Sequence, residues 1–265
     1  MPLNFPRARK RFGQHFLHDP HVIARIIAAI GLNQGDAAVE IGPGQGALTA
    51  QLLAAAGALT AIEIDRDLAQ ILRARFAAQP QFELLEMDAL RVNWHELAAA
   101  RGARLRLIGN LPYNISTPLL FRVLESSDAI ADMHFMLQKE VVDRIVAAPG
   151  SKTYGRLTVM LAPRLTAARV LEVGAGAFRP VPQVTSSVVR LTVRASCPAW
   201  AASPLYARVV AAAFGQRRKT LRNALQNLLS APQIEAAGID PGARAETLSA
   251  DQFGALALAA AAVLH

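Results

Sequence analysis

Ala37-Ala38-Val39-Glu40-Ile41-Gly42-Pro43-Gly44-Gln45-Gly46 joins a short apolar run to a glycine-rich turn, and the turn opens onto an amphipathic segment from Ala47 to Ala56. Glycines placed this way let a backbone turn sharply and bring free N–H groups close to a ligand at a helix start. Gly42, Gly44 and Ala47 satisfy the relaxed GxGxxG/A fingerprint. Glu63 follows about twenty residues on, where a ribose-binding acid belongs. The layout serves a dinucleotide or S-adenosylmethionine equally well, because both present a ribose to an acid after the second strand. A tight strand-to-helix turn with no ligand is the third reading.

Outward from this turn the same alternation repeats. Strands are expected at Ala37 to Ile41, Leu59 to Ile64, Phe82 to Met87, Leu105 to Ile108 and Met133 to Leu137. Helices are expected near Ala47 to Ala56, Arg66 to Ala78, Trp94 to Ala100, Pro118 to Glu125 and Lys139 to Ala147. A first helix precedes them, with Asp19 as cap, Pro20 at its first position and Gly31 closing the apolar run Val22, Ile23, Ile26, Ile27, Ile30. The alternation predicts an α/β fold with a doubly wound, mostly parallel sheet and ligands outside the carboxyl ends of its strands. Strands at Arg169 to Val173 and Ser187 to Val193, flanking the proline-rich Phe178 to Gln183, would close one edge by antiparallel pairing.

At 265 residues the chain has room for one large α/β domain and a small appended one. Cys197-Pro198 and Ser203-Pro204 interrupt regular structure, so the boundary is placed at 196/197, with residues 1–196 as the catalytic domain and 197–265 as a helical one. There Val210, Phe214, Leu221, Leu225 and Leu228 share one helical face, while Arg208, Arg218, Lys219 and Arg222 fall away from it. Arg217 would break the apolar stripe of a continuous helix, which predicts two helices meeting at Gly215-Gln216. A single cysteine, Cys197, excludes an intrachain disulfide framework and suits a reducing cytosol. No stretch reaches the roughly 20 apolar residues of a membrane span, and the basic N-terminal segment lacks signal-peptide character. A cytoplasmic monomer with no membrane partner is expected.

The net charge is +8, and its distribution says more than its value. From Val173 to Ile234 there are eight basic residues and no acidic ones, and Arg7, Arg9, Lys10 and Arg11 stand unopposed near the N-terminus. One-signed segments flanking a near-neutral middle point to a polyanion, since a phosphate backbone rewards several cations acting together through counterion release. A solvated basic face serving solubility is the plainer alternative.

What narrows the choice of ligand is the set of residues at successive strand ends. Glu63 follows the second strand, Asp88 the third and Asn110 the fourth, so with the glycine turn they line one crevice of a parallel sheet. Glu63 suits ribose hydroxyls, and Asp88 suits an adenine amine or a cap on the turn at Ala89. Asn110 begins Asn110-Leu111-Pro112-Tyr113, for which a dehydrogenase has little use. An exocyclic adenine amine is a poor nucleophile because its lone pair is delocalised into the ring. Two acceptors that hold its hydrogens restore it, and the Asn110 side-chain oxygen and the Leu111 carbonyl qualify, with Pro112 keeping Leu111 extended. Tyr113 offers a ring face for stacking a base. In the plain alternative the tetrapeptide is a turn and Tyr113 packs.

Lys10 to Leu17, Glu40 to Thr49, Asn110 to Thr117, Phe178 to Ser186 and Phe214 to Asn223 resemble the ribosomal RNA adenine dimethyltransferase family, most of all its bacterial small-subunit members. The resemblance covers nearly the whole chain. It implies a Rossmann-like class I methyltransferase domain with a mostly parallel doubly wound sheet, followed by a small all-helical domain. It also implies transfer of two methyls to each of two adjacent adenosines near the 3′ end of 16S small-subunit rRNA. S-adenosyl-L-methionine would be the donor and S-adenosyl-L-homocysteine the product, with no metal.

Carried over by position, the cofactor site comprises His15, Leu17, Gly42, Gly44, Glu63, Asp88 and Asn110. The catalytic group is Asn110, Leu111, Pro112 and Tyr113, with Phe178 as a second aromatic against the base. Arg7, Arg9, Lys10, Arg11, Arg217, Arg218, Lys219 and Arg222 would contact the RNA of the small ribosomal subunit, whose assembly such enzymes attend. His15 stands where the family often has asparagine. Gln183 and Thr185 replace its usual lysine and aspartate. A large-subunit rRNA methyltransferase, an RNA-binding assembly factor and an oxidoreductase are the competing readings.

Overall fold

The computed structural model describes residues 15–112, 115–216 and 218–264. The chain runs β1 (Phe16–Leu17), α1 (Pro20–Ile30), β2 (Ala38–Ile41), α2 (Thr49–Ala56), β3 (Leu59–Glu63), α3 (Arg66–Arg75), β4 (Phe82–Glu86), α4 (Trp94–Arg101), β5 (Leu105–Asn110), α5 (Ser116–Leu124) and β6 (Ile130–Gln138). It continues through α6 (Lys139–Ile145), α7 (Arg156–Leu161), β7 (Leu165–Val173), β8 (Phe178–Arg179), β9 (Ser186–Val193), α8 (Pro204–Gly215), α9 (Leu221–Ala224), α10 (Ala231–Ala236) and α11 (Ala250–Leu264). Among the described residues no helix is long and apolar enough to cross a membrane.

Seven strands form one sheet in the order β4-β3-β2-β5-β6-β9-β7. The pairs β2–β3, β3–β4, β2–β5 and β5–β6 are parallel, and β9 is antiparallel to β6. The strand order therefore reverses between β2 and β5, and a ligand crevice belongs at the carboxyl ends of these two strands. Buried strands explain the near-continuous apolar runs: all four residues of β2 and all five of β3 are buried. Gly109 lets β2 and β5 close up at this point, because a Cβ there would stand 2.6 Å from the Ile41 carbonyl oxygen.

The helix ends obey local chemistry. Asp19 accepts hydrogen bonds from the N–H groups of His21 and Val22 at 2.9 and 3.2 Å, and Gly31 closes α1 at φ +58°. Ile23, Ile26 and Ile30 are the buried stripe of α1, each worth roughly 1.5–3 kcal/mol of transfer from water. The α2 helix starts at Thr49, two residues later than its apolar pattern suggests, because Gly44 and Gly46 hold positive φ and the turn runs on through Leu48.

The chain separates into two compact units, 1–142 with 168–193 and 143–167 with 194–265. The contiguous division at 196/197 thus needs adjustment, since Asp143–Ala167 belongs with the C-terminal helices. α7, absent from the sequence reading, carries Val159 into the core formed by Tyr206, Val209, Leu221, Leu225 and Phe253. The Tyr206 hydroxyl donates to the Val159 carbonyl at 2.8 Å and the Tyr154 hydroxyl to the Leu248 carbonyl at 2.6 Å. These buried hydroxyls are satisfied by carbonyls far away in sequence. The expected break follows Gly215, where α8 ends, but the next helix begins only at Leu221 rather than directly at Gln216.

Candidate active site

The carboxyl ends of β2, β3 and β5 and the turn after β4 surround a cavity of about 320 Å³ in the first unit. Its wall includes His15, Leu17, Gly42, Gly44, Glu63, Asp88, Asn110, Leu111, Pro112 and Phe178, all of them picked out from the sequence. Tyr113, Arg217 and the basic residues Arg7, Arg9, Lys10 and Arg11 lie outside the described residues.

The glycine turn does what its composition requires. Gly42, Gly44 and Gly46 have φ of +66°, +56° and +77°, where a side chain would be strained. A Cβ on Gly44 would come within 3.1 Å of the Phe16 ring, so the turn also depends on glycine to seat that phenylalanine.

Glu63, at the end of β3, accepts hydrogen bonds from the Gly44 N–H at 3.1 Å and the Asp65 N–H at 3.0 Å. Burial pushes its carboxyl above the ordinary range, although those two N–H groups pull it back. Asp88 caps the turn at Ala89 by accepting from the Leu90 N–H at 2.9 Å while still lining the cavity. The two readings of Asp88 are therefore compatible: a cap made with one carboxylate oxygen fixes the rotamer that presents the group.

Asn110 ends β5 half-buried, and its side-chain nitrogen donates to the His15 carbonyl at 3.0 Å. That bond leaves the amide oxygen as the end available to the cavity. The Leu111 N–H donates to the Met136 carbonyl at 3.1 Å, which holds Leu111 in the plane of the sheet beyond β5. Its own carbonyl accepts no hydrogen bond among the described residues. Two carbonyl-type acceptors thus stand next to one another at the end of one strand. They could hold the two hydrogens of an exocyclic amine.

Phe178 differs from the expectation of a free aromatic. Its ring is 1% exposed and packs with Leu17, Met136 and Val188, so it forms cavity wall and core rather than an open stacking face. The reason is a two-stranded antiparallel ribbon, Phe16 opposite Arg179 and Leu17 opposite Phe178. The proline-rich segment reads as a loop, and two residues are too few to show strand periodicity.

Glu40 carries no role in the sequence reading beyond the motif itself. Its side chain is wholly buried at the cavity, and one carboxylate oxygen has no hydrogen-bond partner among the described residues. Burial pushes it up to about 7, the nearby Thr49 hydroxyl offsets part of the rise, and the Glu63 charge adds to it. Thr49 approaches without a hydrogen bond of proper geometry. An acid inside an otherwise apolar strand was the available signal. Ile64, half-exposed at the cavity rim beside Glu63, is a second lining residue that composition hides.

In the second unit Arg218, Lys219 and Arg222 are exposed, and no ion pair holds any of them among the described residues. They flank the turn in which the Lys219 N–H donates to the Gln216 carbonyl at 2.8 Å.

The model of the ribosomal RNA adenine dimethylase family matches residues 6–261. A Methylococcus capsulatus protein named ribosomal RNA small subunit methyltransferase A is 53% identical over 247 residues, covering 93% of this chain and 95% of that one. The Pseudomonas aeruginosa protein of that name is 51% identical over 252 residues, with 95% and 94% covered. Among solved structures, a dimethyladenosine transferase from Plasmodium falciparum superposes with a TM-score of 0.78 at 24% identity over 91% of this chain and 96% of its own, a likeness of fold. The 23S rRNA methyltransferase ErmE superposes with a TM-score of 0.70 at 27% identity, with 92% and 98% covered. With the crevice at the strand-order reversal, the glycine turn and the paired acceptors in place, these matches establish that the chain belongs to the ribosomal RNA adenine dimethylase family of class I methyltransferases.

Proposed function

We propose that this protein uses S-adenosyl-L-methionine to dimethylate the N6 amines of two adjacent adenosines near the 3′ end of small-subunit rRNA. The observation that carries the reading is the acceptor pair at the end of β5. The Asn110 amide nitrogen is committed to His15, and the Leu111 carbonyl accepts nothing among the described residues. The cavity fits the donor: a glycine turn for close approach, Glu63 for ribose hydroxyls, Asp88 for an adenine amine, and Ile64 at the rim as an apolar surface for a base. When bound, the sulfonium cofactor supplies an electrophilic methyl.

The residues of the chain do the positioning. The Asn110 oxygen and the Leu111 carbonyl accept the hydrogens of the target amine, so its lone pair is turned out of conjugation and toward the donor cavity. Pro112 keeps Leu111 extended, and Tyr113 serves as the stacking ring. No strong general base is required, because alignment of two bound reactants supplies most of the acceleration. Arg218, Lys219, Arg222 and the N-terminal basic residues bind RNA phosphates.

Loss of the Asn110 acceptor removes an interaction strongest in the transition state, so at saturating cofactor Asn110→Ala lowers the transfer rate by on the order of 10²-fold or more. Tritium transfer into unmethylated small subunits measures this, and mass spectrometry of rRNA fragments locates the product. Normal dimethylation by the variant ends the assignment. A large-subunit product would favour the second reading, which the likeness to ErmE supports. The roughly twofold higher identity to the small-subunit relatives weighs against that reading.

A further inference from the structure

A carboxamide has two ends that are alike in shape and opposite in function. For Asn110 only the oxygen end can accept from an adenine amine; the flipped group would set N–H against N–H. What decides the orientation is the main chain of a segment 95 residues away, since the Asn110 nitrogen lies 3.0 Å from the His15 carbonyl oxygen and a carbonyl can only accept. His15 is itself held in place. Its ring Nδ1 lies 2.7 Å from the Pro180 carbonyl, which requires the proton on Nδ1, and the next two residues pair with Arg179 and Phe178. Phe16 then packs on Gly44 and Leu17 enters the core. A continuous relay thus runs from the Pro180 carbonyl through the His15 ring and the His15 carbonyl to the Asn110 amide.

We propose that His15 to Leu17 form a positioning strap whose His15 carbonyl locks the Asn110 carboxamide with its oxygen toward the target amine. The proposal rests on the reading that Asn110 receives an adenine amine. It explains why asparagine, with one donor end and one acceptor end, suits this position: an aspartate would meet the His15 carbonyl with a second acceptor. It also accounts for histidine at position 15 where the resembling family often has asparagine. Either side chain can give one N–H to the Pro180 carbonyl.

The test compares Asn110→Asp with the wild type in single-turnover methyl transfer at saturating cofactor, from pH 4.5, close to the ordinary aspartate value of about 3.9, to pH 8.5. The aspartate is isosteric but lacks the donor when ionised. At pH 8 the variant is expected to run on the order of 10²-fold slower than wild type, and the ratio should close as the pH falls and a carboxylic acid regains an O–H for His15. His15→Ala should lower kcat while His15→Asn restores it, with cofactor affinity measured separately by calorimetry. An Asn110→Asp enzyme as fast as wild type at pH 8, or a rate ratio that is flat with pH, overturns the strap's role. Failure of the underlying reading looks different: Asn110→Ala itself would then remain active.

Discussion

The two ends of the parallel sheet treat buried charge in opposite ways. At the amino end Arg106, on β5, lies between two acids. It donates to both carboxylate oxygens of Asp132 at 3.0 Å, to Asp36 at 2.7 Å, and to the carbonyls of Ile30 and Gly31 at the end of α1. At the carboxyl end Glu40 is buried without a cation, and Glu63 has only backbone N–H groups.

The pKa directions follow the same division. Burial pushes Asp36 up, but the Asn33 N–H and Arg106 outweigh it and hold the carboxyl below its usual range; Glu40 has nothing to outweigh its burial. The amino end has one exception. His134 sits beside Asp132 with neither ring nitrogen hydrogen-bonded among the described residues, and burial lowers it to about 4, so it stays neutral. Paired charge at one end fastens α1 to the sheet. Acid without a cation at the other end is held at a cost in stability.

The largest effect is expected where pairing is complete. Arg106→Ala strands Asp36 and Asp132 and should cost about 3–5 kcal/mol in denaturant unfolding, as breaking a buried pair from one side does. A loss under 1 kcal/mol would mean that the amino end is no better fastened than a surface pair.

Glu40→Gln comes next and has the opposite sign. The group titrates at 4.5 unfolded and about 7 folded, so between those values the native state holds a proton that the unfolded state has lost. Native stability from this group is therefore lost as pH rises from 4.5 through about 7. The ligand-free variant should gain on wild type over that window, by on the order of 3 kcal/mol at pH 8. A constant difference across pH 5 to 8 would remove the contrast between the two ends.

On the rim of the sheet Glu86 pairs with Arg73 at 2.7 Å and Arg66 at 3.3 Å, with both arginines well exposed. Glu86→Gln should cost less than about 1 kcal/mol and less still in high salt. In the second unit, removing Arg218, Lys219 and Arg222 leaves folding nearly unchanged. It lowers the slope of log affinity for rRNA against log salt by up to about 3, if each contacts a phosphate.

Legibility in the sequence tracks distance along the chain. Asp19, Pro20 and Gly31 bound α1 to the residue because capping and positive φ are decided within a few positions. The apolar runs gave the order of strands and helices, and the parallel arrangement they imply places Glu63, Asp88 and Asn110 on one rim. The break at Gly215-Gln216 was visible because Arg217 violates a helical period. By contrast, α7 is six residues long and carries no strong period, and its placement with the C-terminal helices depends on Tyr206 and on partners up to about a hundred residues away.

The sequence alone therefore determined the α/β alternation, the glycine turn, the residues at each strand end and the family, because these depend on local dihedral preference, side-chain period and motif spacing. Only the tertiary structure decided that Phe178 is wall rather than open ring, that Glu40 is left without a cation, and that the Asn110 amide nitrogen meets the His15 carbonyl. Each of these turns on which distant group fills the last hydrogen bond or the last void. Hydrogen-bond partners 95 and 165 residues apart leave no trace in a local pattern.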